Sequence, residues 1–198
     1  YGPEWSASGN KIAVFNRDQG ILVFDFKTGA ASAVPSVSGL TGALSPDGMR
    51  LVYPALILGD GQQQRSFLRM ADLKANTIEP LTDANDPVKD DSAEWRPDGQ
   101  SLAVARQYLD SRFTRGAQIY LMNPADDSVK PVTDDPRYAN AFFTWDPTGD
   151  QLLIQRFQEL DDKGDPKTDS RPEAWTYDVA TGTLVKIASN VFHPRWVP

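Results

Sequence analysis

Short apolar segments recur along the chain at wide, nearly even intervals, each preceded by a turn signal. The segments KIAVF from Lys11, RLVYPA from Arg50, SLAVAR from Ser101 and QLLIQR from Gln151 are rich in branched aliphatics and bounded by breakers. That pattern predicts short buried strands. The turns before them, SASGN, SPDGM, RPDGQ and DPTGD, each place a glycine where a hairpin needs a positive φ. Gly9, Gly48, Gly99 and Gly149 are separated by 39, 51 and 50 residues, a period in the range of repeat architectures. Trp5, Leu44, Trp95 and Trp145 open the four copies, and Trp196 begins a fifth copy 51 residues after Trp145.

A second apolar segment follows in every copy: ILVFDF from Ile21, LRMADL from Leu68, IYLMNP from Ile119 and AWTYDV from Ala174. Each carries Asp25, Asp72, Asn123 or Asp178 at its fifth position, where a side-chain oxygen can accept from the backbone of the next turn. The turns KTG, KANT, ADDS and ATGT then lead to a last strand, clearest in TIEPLTD and SVKPVTD. Four strands in each repeat of about fifty residues, with no helical period, predict an all-β chain, a β-propeller of four-stranded antiparallel blades. The expected repeats cover approximately 1–40, 41–91, 92–141 and 142–191, with 192–198 starting a further blade, all in one propeller domain or segment.

The run WRPDGQSLAVAR, followed by IYLMNP and KPVTD, resembles the WD40-like, or PD40, repeat of TolB-type propellers, and LSPDGMRLVY with LRMADL and IEPLTD repeats the likeness. The resemblance covers the whole chain. The first and fourth copies depart from it, keeping the glycine but losing the Pro-Asp pair. TolB-like repeats usually form rings of six or more, so the resemblance and the lone strand HPRWVP together imply a portion of a larger propeller, with a closed four-bladed ring as the competing arrangement. An open arc would expose blade faces and strand edges that invite self-association. For function the resemblance implies a non-catalytic scaffold for a protein or peptide partner, in a periplasmic or extracytoplasmic setting. Similar repeats also form the gating propeller of prolyl-oligopeptidase-like serine peptidases, whose catalytic domain would lie outside this chain. A small-molecule or sugar site in the axial channel is a third reading.

Composition narrows the partners. The 40% hydrophobic and 24% charged residues are those of an ordinary globular protein. A formal charge of −7 gives little basis for a phosphate-tracking surface, so no nucleic-acid partner is expected. No apolar run approaches the length of a membrane span, and membrane insertion is not expected. The chain opens at Tyr1 without a signal-peptide pattern, which predicts a mature or excised segment. With no cysteine and the single His193, neither thiol chemistry nor a multi-histidine or Cys/His zinc site can form within it. No Gly-x-Ser-x-Gly elbow occurs, and GDGQQQ from Gly59 has neither the lysine nor the spacing of a phosphate loop, so neither enzyme activity nor a cofactor is expected.

The connections from second to third strand share a propeller face with those joining successive blades, and there the sequence spends its length. They grow from NRDQG at Asn16, through LILGDGQQQRS at Leu56 and QYLDSRFTRGAQ at Gln107, to FQELDDKGDPKTDSRPE at Phe157. Long loops on a rigid scaffold are where binding usually resides. Arg106, Arg112 and Arg115 beside Tyr108 and Phe113 form an arginine-aromatic mixture typical of interface anchors. Glu159, Asp161 and Asp162 in the next blade complete the candidate partner site, with ion pairing between the two loops as the competing role. The acidic run, which continues through Asp165 and Asp169, invites a calcium reading, but its order does not match an EF-hand loop and a solvated hairpin tip is expected. Asp83, Asp86, Asp90 and Asp91 gather between blades, where turn capping is expected. The recurring tryptophans, and Trp175 in a third strand, are expected to pack between blades rather than cage a ligand.

Overall fold

A computed structural model describes residues 2–57 and 64–197. The centre of the connection from Leu56, with GDGQQ, lies outside the described residues. No helix occurs among those described, and the strands fall in four successive groups. Blade 1 comprises β1 (Glu4–Trp5), β2 (Lys11–Asn16), β3 (Gly20–Asp25) and β4 (Ala31–Val34). Blade 2 comprises β5 (Ala43–Leu44), β6 (Arg50–Ile57), β7 (Arg65–Asp72) and β8 (Thr77–Pro80). Blade 3 runs through β9 (Val88–Trp95), β10 (Leu102–Tyr108), β11 (Gln118–Asn123) and β12 (Ser128–Pro131), and blade 4 through β13 (Tyr138–Trp145), β14 (Gln151–Gln158), β15 (Pro172–Asp178) and β16 (Thr183–Ser189).

Within each blade the strands pair antiparallel in sequence order. Blades 2 and 3 are further linked by one parallel bridge, Ser66 to Lys89, supported by Ser66 Oγ donating to the Asp90 carbonyl at 2.9 Å. The turn glycines Gly9, Gly48, Gly99 and Gly149 have φ of 68, 68, 69 and 78°. Asp25, Asp72, Asn123 and Asp178 accept from the backbone two or three residues on, at 2.7 to 3.2 Å, as their position predicts.

In blades 2 to 4 the second strands read as continuous apolar runs because both of their faces are covered. Along β10, Leu102 and Val104 enter the cluster shared with blade 2, while Ala103 and Ala105 enter the one shared with blade 4. A third cluster joins Ala13, Ile21 and Val23 of blade 1 to Leu51, Tyr53 and Ala71 of blade 2. The core is thus three slabs between sheets, and a fully buried leucine or isoleucine contributes about 1.5–3 kcal/mol.

Two latches repeat across these slabs. Three tryptophans reach back to the inner strand of the preceding blade: Trp95 Nε1 donates to the Ala43 carbonyl at 3.2 Å, Trp145 Nε1 to the Glu94 carbonyl at 3.3 Å and Trp196 Nε1 to the Thr144 carbonyl at 3.2 Å. A cation reaches forward to the turn glycine of the next blade: Lys11 Nζ to the Gly48 carbonyl at 2.9 Å, Arg50 Nη2 to Gly99 at 2.8 Å and Arg96 Nε to Gly149 at 2.8 Å. Arg50 also lies over the Trp95 ring, 4.4 Å from its centroid.

Trp5 departs from the expected packing role. It is 51% exposed, against 5% for Trp95 and 6% for Trp145, and it stacks on Phe26 at 5.6 Å. The reason is positional: Trp5 lies on the outer face of blade 1, where Val14 and Phe24 are also exposed. Blades 1 and 4 make no contact comparable to those between consecutive blades among the described residues.

Candidate functional site

The QYLDSRFTRG loop leaves β10 and closes on itself through Asp110. That carboxylate accepts from the Arg112 backbone at 2.9 Å and from its guanidinium at 2.5 to 3.1 Å. The guanidinium bonds hold the Asp110 carboxyl down at about 2. Pinned in this way, the Arg112 guanidinium lies 3.7 Å from the centroid of the Tyr108 ring. Phe113, next in the chain, is 52% exposed. A flat cation fixed over an aromatic ring, beside a solvent-facing phenyl, can grip an apolar or anionic side chain with little ordering cost.

Blade 4 meets this loop through charge. Arg115 Nε lies 3.6 Å from Glu159 Oε2, the ion pairing that competes with an anchor role for both residues. Asp162 pairs at 2.6 Å with Arg137, which also grips Asp135 at 2.8 Å. Arg137 was not singled out from the sequence, although its place in DDPRY between blades could have marked it. Asp161 serves its own hairpin, accepting from the backbone of Lys163 at 2.8 Å and of Asp165 at 2.9 Å.

Arg106 takes no part in that surface. It is 6% exposed and turned between the sheets, where Nε and Nη2 grip the Asp90 carboxylate at 2.7 and 2.8 Å. Asp90 also accepts from Thr82 Oγ1 at 3.1 Å, and that hydroxyl accepts from the Leu68 amide at 2.8 Å. Asp90 is therefore a buried counterion rather than a turn cap, whereas Asp83 does cap, accepting from the Asn85 amide at 2.8 Å. Arginine at the end of an apolar strand gave no sequence signal for this inward turn.

An axial channel is among the expectations from the sequence, but the residues that line it are not. The residues just before the opening aromatic or leucine of each copy, Glu4, Ala43, Glu94, Thr144 and Arg195, line cavities of about 560 and 480 Å³, with Ala43 in the first only. A third cavity of about 610 Å³ shares Glu4 with both. Glu94 accepts from Thr144 Oγ1 at 3.0 Å and from the Trp145 amide at 3.4 Å. Burial pushes the carboxyls of Glu4 and Glu94 up to about 7.

This shift predicts a pH dependence. A carboxyl whose pKa rises on folding favours the fold while protonated, a contribution complete below about 4.5 and lost as pH climbs through about 7. Glu94→Gln cannot ionise, so it should unfold near the wild-type temperature at pH 4 and at a clearly higher one at pH 8. Thermal scans across that range check this, and a gap independent of pH would mean that Glu94 is solvated.

No family model and no curated protein matches the sequence. Solved structures do match in fold. TolB from Acinetobacter baumannii is 22% identical with a TM-score of 0.64, over 96% of this chain and 43% of that one. An oligogalacturonate lyase in complex with manganese is 15% identical with a TM-score of 0.68, over 96% of this chain and 53% of its own. The β-propeller domain of the Trilobed protease from Pyrococcus furiosus is 14% identical with a TM-score of 0.59, over 96% of this chain and 57% of its own. The chain thus spans about half the length of these propeller proteins, and at such identities the likeness establishes the propeller fold.

Proposed function

We propose that this chain is a non-catalytic binding propeller that takes a protein or peptide segment on its long-loop face, where blades 3 and 4 meet. The observation that carries this reading is the pairing of exposed Phe113 with an Arg112 guanidinium already fixed over Tyr108. Aromatic and arginine anchors of this kind dominate interface energies. Arg115, Glu159, Asp161 and Asp162 form the polar rim around them, and the net charge of −7 favours a partner of basic character. The resemblance of the repeats to TolB-type propellers favours a periplasmic or extracytoplasmic setting for this role.

The test begins by capturing a partner from an envelope extract with the 198-residue chain and measuring its affinity. Arg112→Ala with Phe113→Ala should weaken binding at least thirtyfold, about 2 kcal/mol, while the unfolding temperature stays put. Unchanged affinity would sink the site.

The axial cavities favour one second reading, a small-molecule or sugar site lined by Glu4, Glu94 and Arg195. A thermal shift with oligosaccharide mixtures that vanishes in Glu94→Gln would support it over the loop site. The likeness to a protease propeller points instead to a gating role, which a hydrolase domain in the same polypeptide would establish.

A further inference from the structure

Blades 3 and 4 carry an arginine at the same place, with different partners. Arg106 of β10 stands in register with Asp90 of β9, and Arg156 of β14 with Asn140 of β13, each pair beside a bulge. In blade 3 the guanidinium edge formed by Nε and Nη2 is filled by the Asp90 carboxylate. In blade 4 the amide of Asn140 is turned elsewhere, donating to the Ala117 carbonyl at 2.7 Å, Thr133 Oγ1 at 3.2 Å and Gln118 Oε1 at 3.3 Å. Arg156 is 3% exposed, and the same two atoms, Nε and Nη2, have no hydrogen-bond partner among the described residues. Asn140 Oδ1 is likewise unpartnered.

The surroundings favour an anion without supplying one. Rings cover the guanidinium, with the centroids of Tyr138 and Trp175 at 4.3 and 4.9 Å. Of the carboxylates around it, Asp135 is engaged by Arg137 at 2.8 Å and Glu173 by Lys186 and by Trp175 Nε1, while Asp134 is exposed and makes no ion pair with Arg156 among the described residues. A buried cation with a bare bidentate edge is costly to keep, and a carboxylate is the group that matches this edge in geometry and charge. Burial lowers the pKa of Arg156, whereas Arg106 is raised despite its own burial because Asp90 bonds it.

We propose that Arg156 is the recognition group of an internal site for a small carboxylate of formate or acetate size, which grips Nε and Nη2 as the Asp90 carboxylate grips Arg106. Both nitrogens are sealed from solvent, so the ligand enters past the half-buried Tyr138 and Trp175 and has to be small. The site lies beneath the blade surface and is independent of the loop anchors Arg112 and Phe113.

Thermal unfolding of the 198-residue chain, with sodium formate or acetate replacing chloride at constant ionic strength, reads the site directly. Wild type should show a saturable rise of about 5 °C at hundredfold excess over Kd, with a matching change in tryptophan emission from Trp175. Arg156→Met should fold, unfold at the wild-type temperature or above it without ligand, and lose both responses. Arg156→Lys, which keeps the charge without the two-pronged edge, should lose most of them. Failure of wild type to respond would overturn the site, leaving water as the partner of Arg156. An equal response in Arg156→Met, or a halide series that reproduces the effect of formate, would overturn it as well.

Discussion

Asp90→Ala should lower folding stability by about 3–5 kcal/mol, because it removes one half of a buried ion pair and strands the other half. Arg106 is held at both nitrogens of its bidentate edge, and the Asp90 side chain is completely buried. The variant also takes an acceptor from Thr82, which orders the Leu68 amide at the blade 2 to blade 3 boundary. The penalty belongs to the unpaired charge rather than to the pair. A double variant, Asp90→Leu with Arg106→Met, should therefore recover most of the loss. Urea titration with an unchanged slope measures both. A loss below about 1 kcal/mol in the single variant would mean that Arg106 swings out to water, and the reading of it as an internal strut would fall.

The contrast between Asp90 and Phe113 shows what the sequence could and could not say. Hairpin glycines, apolar strands and aspartates at the fifth position are local signals, and the φ values, blade strands and capped turns follow them. Phe113 could be placed on the exposed loop because a long, polar connection between two clear strands has nowhere to go but the surface. Arg106 could not be placed, because whether an arginine at the end of a strand turns in or out depends on a carboxylate 16 residues earlier in a different strand. The axial residues were hidden for a related reason. Glu4, Glu94 and Arg195 hold one repeat position, each just before a tryptophan, but that this position lines a common cavity shows only once the blades are arranged around an axis. The cation latches were hidden too, since Lys11 and Arg50 occupy one repeat position and Arg96 another, yet all reach the same turn carbonyl.

Trp95→Ala and Trp5→Ala change the same repeat position and should differ by several kcal/mol. Trp95 is packed among Ala43, Val52, Leu68 and Leu102, donates to the Ala43 carbonyl and supports the Arg50 guanidinium on its face. Its loss should cost about 3–5 kcal/mol. Trp5 has solvent over half its surface and only Phe26 stacked on it, so its loss should cost less than about 1 kcal/mol. The location of the damage matters as much as its size. Consecutive blades hold one another through the slabs between them, and blades 1 and 4 make no comparable contact among the described residues, so stability behaves as a sum of blade and interface terms. Weakening the slab between blades 2 and 3 should let the two halves unfold separately. Trp5 reports on blade 1, while Trp145, Trp175 and Trp196 report on blade 4 and the segment beyond it. Emission from the two sets, separated by Trp→Phe substitutions, should follow one curve in wild type and two in Trp95→Ala. Coincident curves in the variant would show that the parallel bridge from Ser66 to Lys89 and the Asp90–Arg106 pair suffice to keep the halves coupled. Trp95→Phe then isolates the indole hydrogen bond: it keeps most of the packing, so the larger share of the stability should return while the Ala43 carbonyl loses its donor.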